Sequence, residues 1–247
     1  MDRLIHTSLS AMRGAMSRQT SIANNLANAN TTGFRAEFAS TRPLWLQGGT
    51  YQSRAPSSEE VVNADMKAGA FVQTGRELDV ALQGDSMLAV QADNGEEAYT
   101  RRGDLQIAQS GLLTTGDGVP VLSEQGPVTI PPADKVQIDA DGRIWVIPQG
   151  GDAKQLQEVG RLKIATPKGS AIVKGLDGQF RVRGGGTLPA DPDARLTSGA
   201  LEQSNVNVTD SLVQMIEASR SWETQIKLLK AAEELDSASA DLMRLPE

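Results

Sequence analysis

The chain has 247 residues, no cysteine, one histidine and a net charge of −7 at pH 7, with a pI near 4.9. That length suffices for one large domain or two modest ones, and the acidic balance argues against an electrostatic affinity for nucleic acid or anionic lipid. The missing thiols exclude disulfides, thiolate metal sites and cysteine nucleophiles, and the lone His6 cannot build a multi-histidine metal centre.

His6 falls within an apolar stripe and reads as a helix-surface or interface residue. Aromatic residues are 4% of the chain, so the core must rest on Val, Leu, Ile and Ala. The apolar runs fall short of the roughly 20 residues a membrane span needs, and no membrane insertion is expected. Met1-Asp2-Arg3 lacks a basic leader, and Ser8, Ser10, Arg13 and Arg18 interrupt any hydrophobic region that follows. The expectation is a cytoplasmic protein, or one exported without cleavage of a signal peptide.

Residues 4–26 place Leu4, Ile5, Leu9, Met12, Met16, Ala23 and Leu26 at steps of three or four, with Ala11, Ala15 and Ile22 beside them, a broad amphipathic helical face. Asp2 is a suitable N-cap. The helix should fray near Asn28 to Asn30, because asparagine favours turns and bonds locally to backbone. Gly33 would end it, since glycine tolerates a positive φ. Residues 35–75 mix the apolar Pro43-Leu44-Trp45-Leu46 with the loop-like Gly48-Gly49 and Arg54-Ala55-Pro56. They read as an extended connector, with a disordered linker as the alternative.

From Leu78 to Thr187 the period changes to two. Leu78, Val80 and Leu82 alternate, then Leu88 and Val90, then a tight turn at Asp93-Asn94-Gly95. Leu105 with Ile107, Val119 with Val121, Val136 with Ile138, and Ile144 with Val146 continue the series. Asp117-Gly118, Asp141-Gly142 and Asp177-Gly178 punctuate it. Short strands at this spacing suggest an antiparallel barrel or sandwich.

After Glu202, Ser204, Asn205 and Val206 a second helical segment runs over 207–245. Asn207 is a good N-cap and Asp210 lies near the positive helix end. Val208, Leu212, Met215, Ser219, Trp222, Ile226 and Leu229 alternate in steps of four and three, a heptad-like seam, with the apolar Ile216 close by. Glu223 with Lys227 and Lys230 with Glu234 add i,i+4 pairs of only ~0.3 kcal/mol each. Residues 1–36 hold four Arg and one Asp, or +3. Residues 206–247 hold eight acids and four bases, or −4. A basic helix and an acidic one favour mixed pairing over self-pairing.

Asn24-Asn25-Leu26-Ala27-Asn28 with Gly33-Phe34 resembles the signature of the flagellar axial proteins, the rod, hook and hook-associated subunits. Thr74-Gly75-Arg76-Glu77-Leu78-Asp79, Tyr99-Thr100-Arg101-Arg102-Gly103-Asp104, and Glu202-Gln203-Ser204-Asn205-Val206 are similar to three further blocks of that family, in the same order. The stretch Gly84-Asp85-Ser86-Met87-Leu88 departs from the family pattern, which has a second glycine and aromatics there. The opening residues and the length are most similar to a proximal-rod member, with a distal-rod member as runner-up.

The resemblance implies an α+β chain: N- and C-terminal helices pairing as a coiled coil, an extended connector, and a central antiparallel all-β domain of barrel or sandwich type. It divides the chain into a helical segment of the rod core (1–34), a connector (35–75), an outer β domain (76–195), and a C-terminal strand, turn and helix of the rod core (196–247). It implies a basal-body rod subunit in the periplasm, exported by the flagellar apparatus. The subunit would join other proximal and distal rod proteins in a helical hetero-polymer and transmit torque, with no cofactor and no catalysis.

Two other classes find less support in the residues. A wall-cleaving carboxylate pair would have to come from Glu96, Glu97 or Asp104, which read as ordinary turn residues. Gly184-Gly185-Gly186 lacks the Lys and Ser/Thr of a phosphate loop. A surface-binding β module would expose aromatics, yet of Trp45, Trp145 and Trp222 only Trp45 is undecided, the other two reading as packing residues. Without the resemblance, both stripes would read as an ordinary intramolecular core.

Overall fold

A computed structural model describes residues 2–43, 57–150 and 155–242. The protein is mostly β, with one helix near each end and antiparallel pairing throughout the registered strands. It divides into two compact units: residues 1–27, 37–63 and 207–247, and residues 28–36 with 64–206.

In the first unit, helix α1 (Asp2–Ala27) packs against helix α2 (Val208–Leu242) and against the strand Glu37–Pro43, which pairs with Ser57–Ala64. The stretch expected as a connector therefore contains paired strands. Trp45 lies outside the described residues. At the start of α2, the Asn207 side-chain oxygen accepts from the amides of Thr209 (3.0 Å) and Asp210 (3.3 Å). This satisfies donors that a helix N-terminus leaves open.

In the second unit, a five-stranded sheet runs in the order Ile164–Ala165, Met87–Gln91, Glu97–Thr100, Phe180–Val182, Ile172–Lys174. A three-stranded sheet holds Ala133–Ile138, Arg143–Pro148 and Gln157–Arg161. Met87–Gln91 is buried on both faces. Leu88 and Val90 join a core with Val80, Leu82, Leu105, Ile144 and Val146, while Met87 and Ala89 join a second with Tyr99, Phe180 and Leu188. The expected barrel is not formed, because no described sheet closes on itself. Strands in this unit are at most 6 residues long, and single bridges such as Val90 with Val121 and Ser123 with Leu162 join their neighbourhoods in place of one continuous ladder. Asp93-Asn94-Gly95 makes the expected turn, with Gly95 at φ 81°.

Candidate assembly site

The family-like residues gather in two places. In the first unit, the Asn25 carboxamide meets the backbone of Glu37 as a strand would: its oxygen accepts from the Glu37 amide (2.7 Å) and its nitrogen donates to the Glu37 carbonyl (2.9 Å). Asn24 donates to the Glu37 carboxylate at 2.8 Å. Leu26 is half-buried and Ala27 exposed.

In the second unit, Asn28 closes the turn after α1. Its carbonyl accepts from the Thr31 amide (3.1 Å) and its side-chain oxygen from the Thr31 hydroxyl (3.1 Å). Gly33 does have a positive φ of 68°, but α1 already ends at Ala27. The glycine instead lets the chain lie against Arg101: an added Cβ would sit 2.4 Å from the Arg101 carbonyl. The Gly33 amide donates to the Glu202 carbonyl at 2.7 Å. Phe34 is half-buried beneath the Lys174 ammonium, 3.6 Å from its ring centre.

Glu202 is 1% exposed and binds two buried guanidinium groups. One carboxylate oxygen accepts from Arg35 Nη2 (2.6 Å) and the Gly69 amide (2.9 Å). The other accepts from Arg101 Nε (2.9 Å) and Nη2 (2.5 Å). Arg101 also donates to the carbonyls of Leu82, Gly84 and Ser86 at 2.6–2.9 Å. It thereby braces the segment that departs from the family pattern. Burial pulls the Arg101 pKa down, and the neighbouring Glu202 carboxylate opposes that shift.

Asn205 completes the corner. Its oxygen accepts from the Ala36 amide (2.7 Å), and its nitrogen donates to the carbonyls of Asp65 and Lys67 (both 2.9 Å). The Ser204 hydroxyl accepts from the Val206 amide at 3.2 Å. Sequence reasoning singled out Glu202 but missed Arg35 and Arg101. Both lie next to or within the family-like blocks, Arg35 directly after Gly33-Phe34 and Arg101 in Tyr99-Thr100-Arg101-Arg102, but nothing local distinguishes them from ordinary surface cations.

The helical faces are arranged differently from the expected seam. On α2 the more buried line is Ser211, Met215, Ala218, Trp222, Gln225, Leu229 and Ala232, again in steps of four and three. Met215, Trp222 and Leu229 lie in both lines. Val208, Leu212 and Ile216 are 43%, 45% and 55% exposed, Ser219 is also exposed, and Ile226 is half-buried. On α1, Ile22 is buried together with Gly14 and Ser21, Met12 is half-buried, and Leu9 and Met16 are exposed. Apart from Ile22, the fully buried positions described in both helices are thus small, while several large apolar side chains face outward. The side chains of Leu4, Ile5 and His6 lie outside the described residues.

The carboxylates weighed as catalytic are held by neighbours. Glu97 binds Lys163 (2.8 Å) and accepts from the Tyr99 hydroxyl (2.6 Å), Asp104 binds Arg102 (2.7 Å), and Glu96 accepts from the Asn94 side chain (2.7 Å). Burial, and then the bond to Glu97, raises the Tyr99 pKa above its ordinary 10.0. No described helix is long and apolar enough to cross a membrane.

Three family models match: the flagella basal body rod protein over residues 5–35, the flagellar hook protein FlgE/F/G D1 domain over 81–146, and the flagellar basal body rod FlgEFG protein C-terminal over 197–242. The flagellar basal-body rod protein FlgF of Salmonella typhimurium is 37% identical over 99% of this chain and 100% of its own length. FlgF of Escherichia coli is 39% identical over 95% of each chain, and FlgG of Bacillus subtilis 28% identical over 99% of this chain and 100% of its own. With the matched segments falling on both helices, the buried corner and the β core, the chain belongs to the flagellar basal-body rod protein family, as a FlgF-like structural subunit of the rod.

Proposed function

We propose that this chain is a subunit of the proximal rod that polymerises through the outward faces of α1 and α2 and passes torque along the rod. The observation that carries this reading is the exposure of Met16, Leu212, Val213, Ile216, Leu228 and Leu235, all at least 45% exposed, on two helices that pack against each other. Each such side chain is worth roughly 1.5–3 kcal/mol when fully buried. Neighbouring subunits are the natural cover, and repeated head-to-tail contacts build an open helical filament. The four-and-three spacing of the buried line on α2 supports coiled-coil pairing with α1 in the assembled tube.

In this reading the assembly interface includes Leu4, Ile5, Leu9, Met12, Met16 and Leu26 on α1, and Val208, Leu212, Ile216 and Ile226 on α2, while the buried Ile22 and the half-buried Met215, Trp222 and Leu229 turn inward within the subunit. The outer β domain corresponds to residues 76–195. The partners are other proximal and distal rod proteins and the flagellar export apparatus. The site of action is the periplasm, reached without signal cleavage. The subunit has no catalytic role.

Ile216→Asp tests the interface. It should leave the β core folded, by circular dichroism of the purified chain, and abolish both rod incorporation and swimming. Swimming at the normal rate would refute the outward-face reading. The similarity to FlgG of Bacillus subtilis keeps a distal-rod position as the second reading. Imaging basal bodies from a deletion strain separates the two: arrest before the distal rod supports the first, and a completed proximal section supports the second.

A further inference from the structure

The residues joined at the buried corner are far apart in sequence: Gly33 and Arg35, Gly69, the segment 82–86, Arg101, and Glu202 with Asn205. Two guanidinium groups share one carboxylate there. Among the described residues, Nε and Nη1 of Arg35 find no hydrogen-bond partner despite 1% exposure. A buried cation is costly without its counter-charge. Without Glu202, Arg35 and Arg101 would together hold two buried positive charges, and only Asp85 adds a further negative influence on Arg101.

Glu202 also organises backbone. Its side chain takes the Gly69 amide and its carbonyl takes the Gly33 amide. Its neighbour Gln203 donates from its amide to the Ala70 carbonyl at 2.8 Å. The Asn205 amide donates to the Phe34 carbonyl at 3.3 Å, and the Asn205 side chain accepts from Ala36. Residues 33–36 and 67–70 are thus both fastened to the segment 202–205. That segment immediately precedes α2, and 28–36 immediately follows α1.

We propose that Glu202 is the key of a folding latch: the corner through which the chain leaves towards both helices closes only when the segment 202–205 docks, and it closes and opens as one unit. A chain made or delivered from its N-terminus would hold Arg35 and Arg101 solvated until Glu202 arrives. Docking of residues 33–36 would then wait for the part of the chain that carries α2. The β core shares Leu82 with this corner, but its two apolar clusters include none of Arg35, Arg101, Glu202 or Asn205 and do not depend on that charge pairing. The latch goes beyond the assembly reading and does not depend on it, because it is a property of the isolated chain.

Native-state hydrogen exchange on the full-length chain tests it. Glu202→Gln should accelerate exchange at the amides of Gly33, Ala36, Gly69 and Gln203 together, by on the order of 100-fold. Amides in the strand pair Ala133–Ile138 and Arg143–Pro148 should keep their rates. Arg35→Met leaves Glu202 paired with Arg101 and should accelerate the same amides together by a smaller factor. Unchanged rates, acceleration confined to Gly69, or loss of protection across the strand pair as well, including outright failure of either variant to fold, would each overturn the latch.

Discussion

Adding one methyl group at Gly33 meets two penalties at once. The left-handed backbone at φ 68° costs an L-residue about 1–2 kcal/mol, and the new Cβ would lie 2.4 Å from the Arg101 carbonyl, an overlap that demands backbone movement worth about 1–3 kcal/mol. Gly95 has a similar φ of 81°, yet nothing lies within 4 Å of its Cβ position. Urea melts should therefore show Gly33→Ala destabilising the chain by about 3 kcal/mol and Gly95→Ala by about 1 kcal/mol. Equal losses would mean that dihedral strain alone matters at Gly33. The positive φ of Gly33 was legible in the sequence, since only glycine follows the turn residues Thr31-Thr32. Its contact with Arg101 was not, because a close backbone approach between distant segments leaves no local pattern. The same holds for Arg35 and Arg101, which look like ordinary charged residues until Glu202 is placed beside them.

Both helices and most of the strands follow from periodicity, because a repeat of 3.6 or 2 records which side chains share a face. Which face turns inward is another matter. The heptad-like line of larger apolar residues on α2 includes Val208, Leu212 and Ile226, whereas the more buried line has Ser211, Ala218 and Gln225 in their place. Residue hydrophobicity points to the greasiest line, and a line that shares Met215, Trp222 and Leu229 with it but buries Ser211 and Ala218 is turned by a fraction of a turn from it. Ala218 is 7% exposed and Leu228 63% exposed. Ala218→Leu should thus lower the stability of the helical unit by about 1–3 kcal/mol through overpacking, and Leu228→Ala should change it by less than about 0.5 kcal/mol. Thermal melts of the isolated chain followed at 222 nm read both. A larger loss from Leu228→Ala than from Ala218→Leu would reverse the assignment of inner and outer faces.

The two units differ in how much they bury. The β core owns both hydrophobic clusters, in which Val80, Leu82, Leu88, Val90 and Ile144 have no exposed surface. Among the described side chains of the helical unit, only Gly14, Ser21, Ile22, Ser211 and Ala218 are buried. The membership of residues 37–63 in that unit was not visible in local periodicity, since it depends on Asn24 and Asn25 reaching Glu37. Few buried apolar contacts place an element at the low end of local stability, so the helices of a free subunit should open far more often than the β core. Brief trypsin digestion of the isolated full-length chain measures this. Cleavage should come first at Arg13 and Arg18 in α1 and at Arg220, Lys227 and Lys230 in α2, all exposed, while the buried Arg101 stays intact within a resistant fragment identified by mass. Subunits extracted from assembled rods supply the counterpart. If neighbours cover Met16, Leu212 and Ile216, rods digested before extraction should keep α1 and α2 uncut. Early cuts at Arg143 or Arg161 in the free chain, ahead of those in α2, would place the weak point in the β core and remove the physical reason for the helices to seek partners.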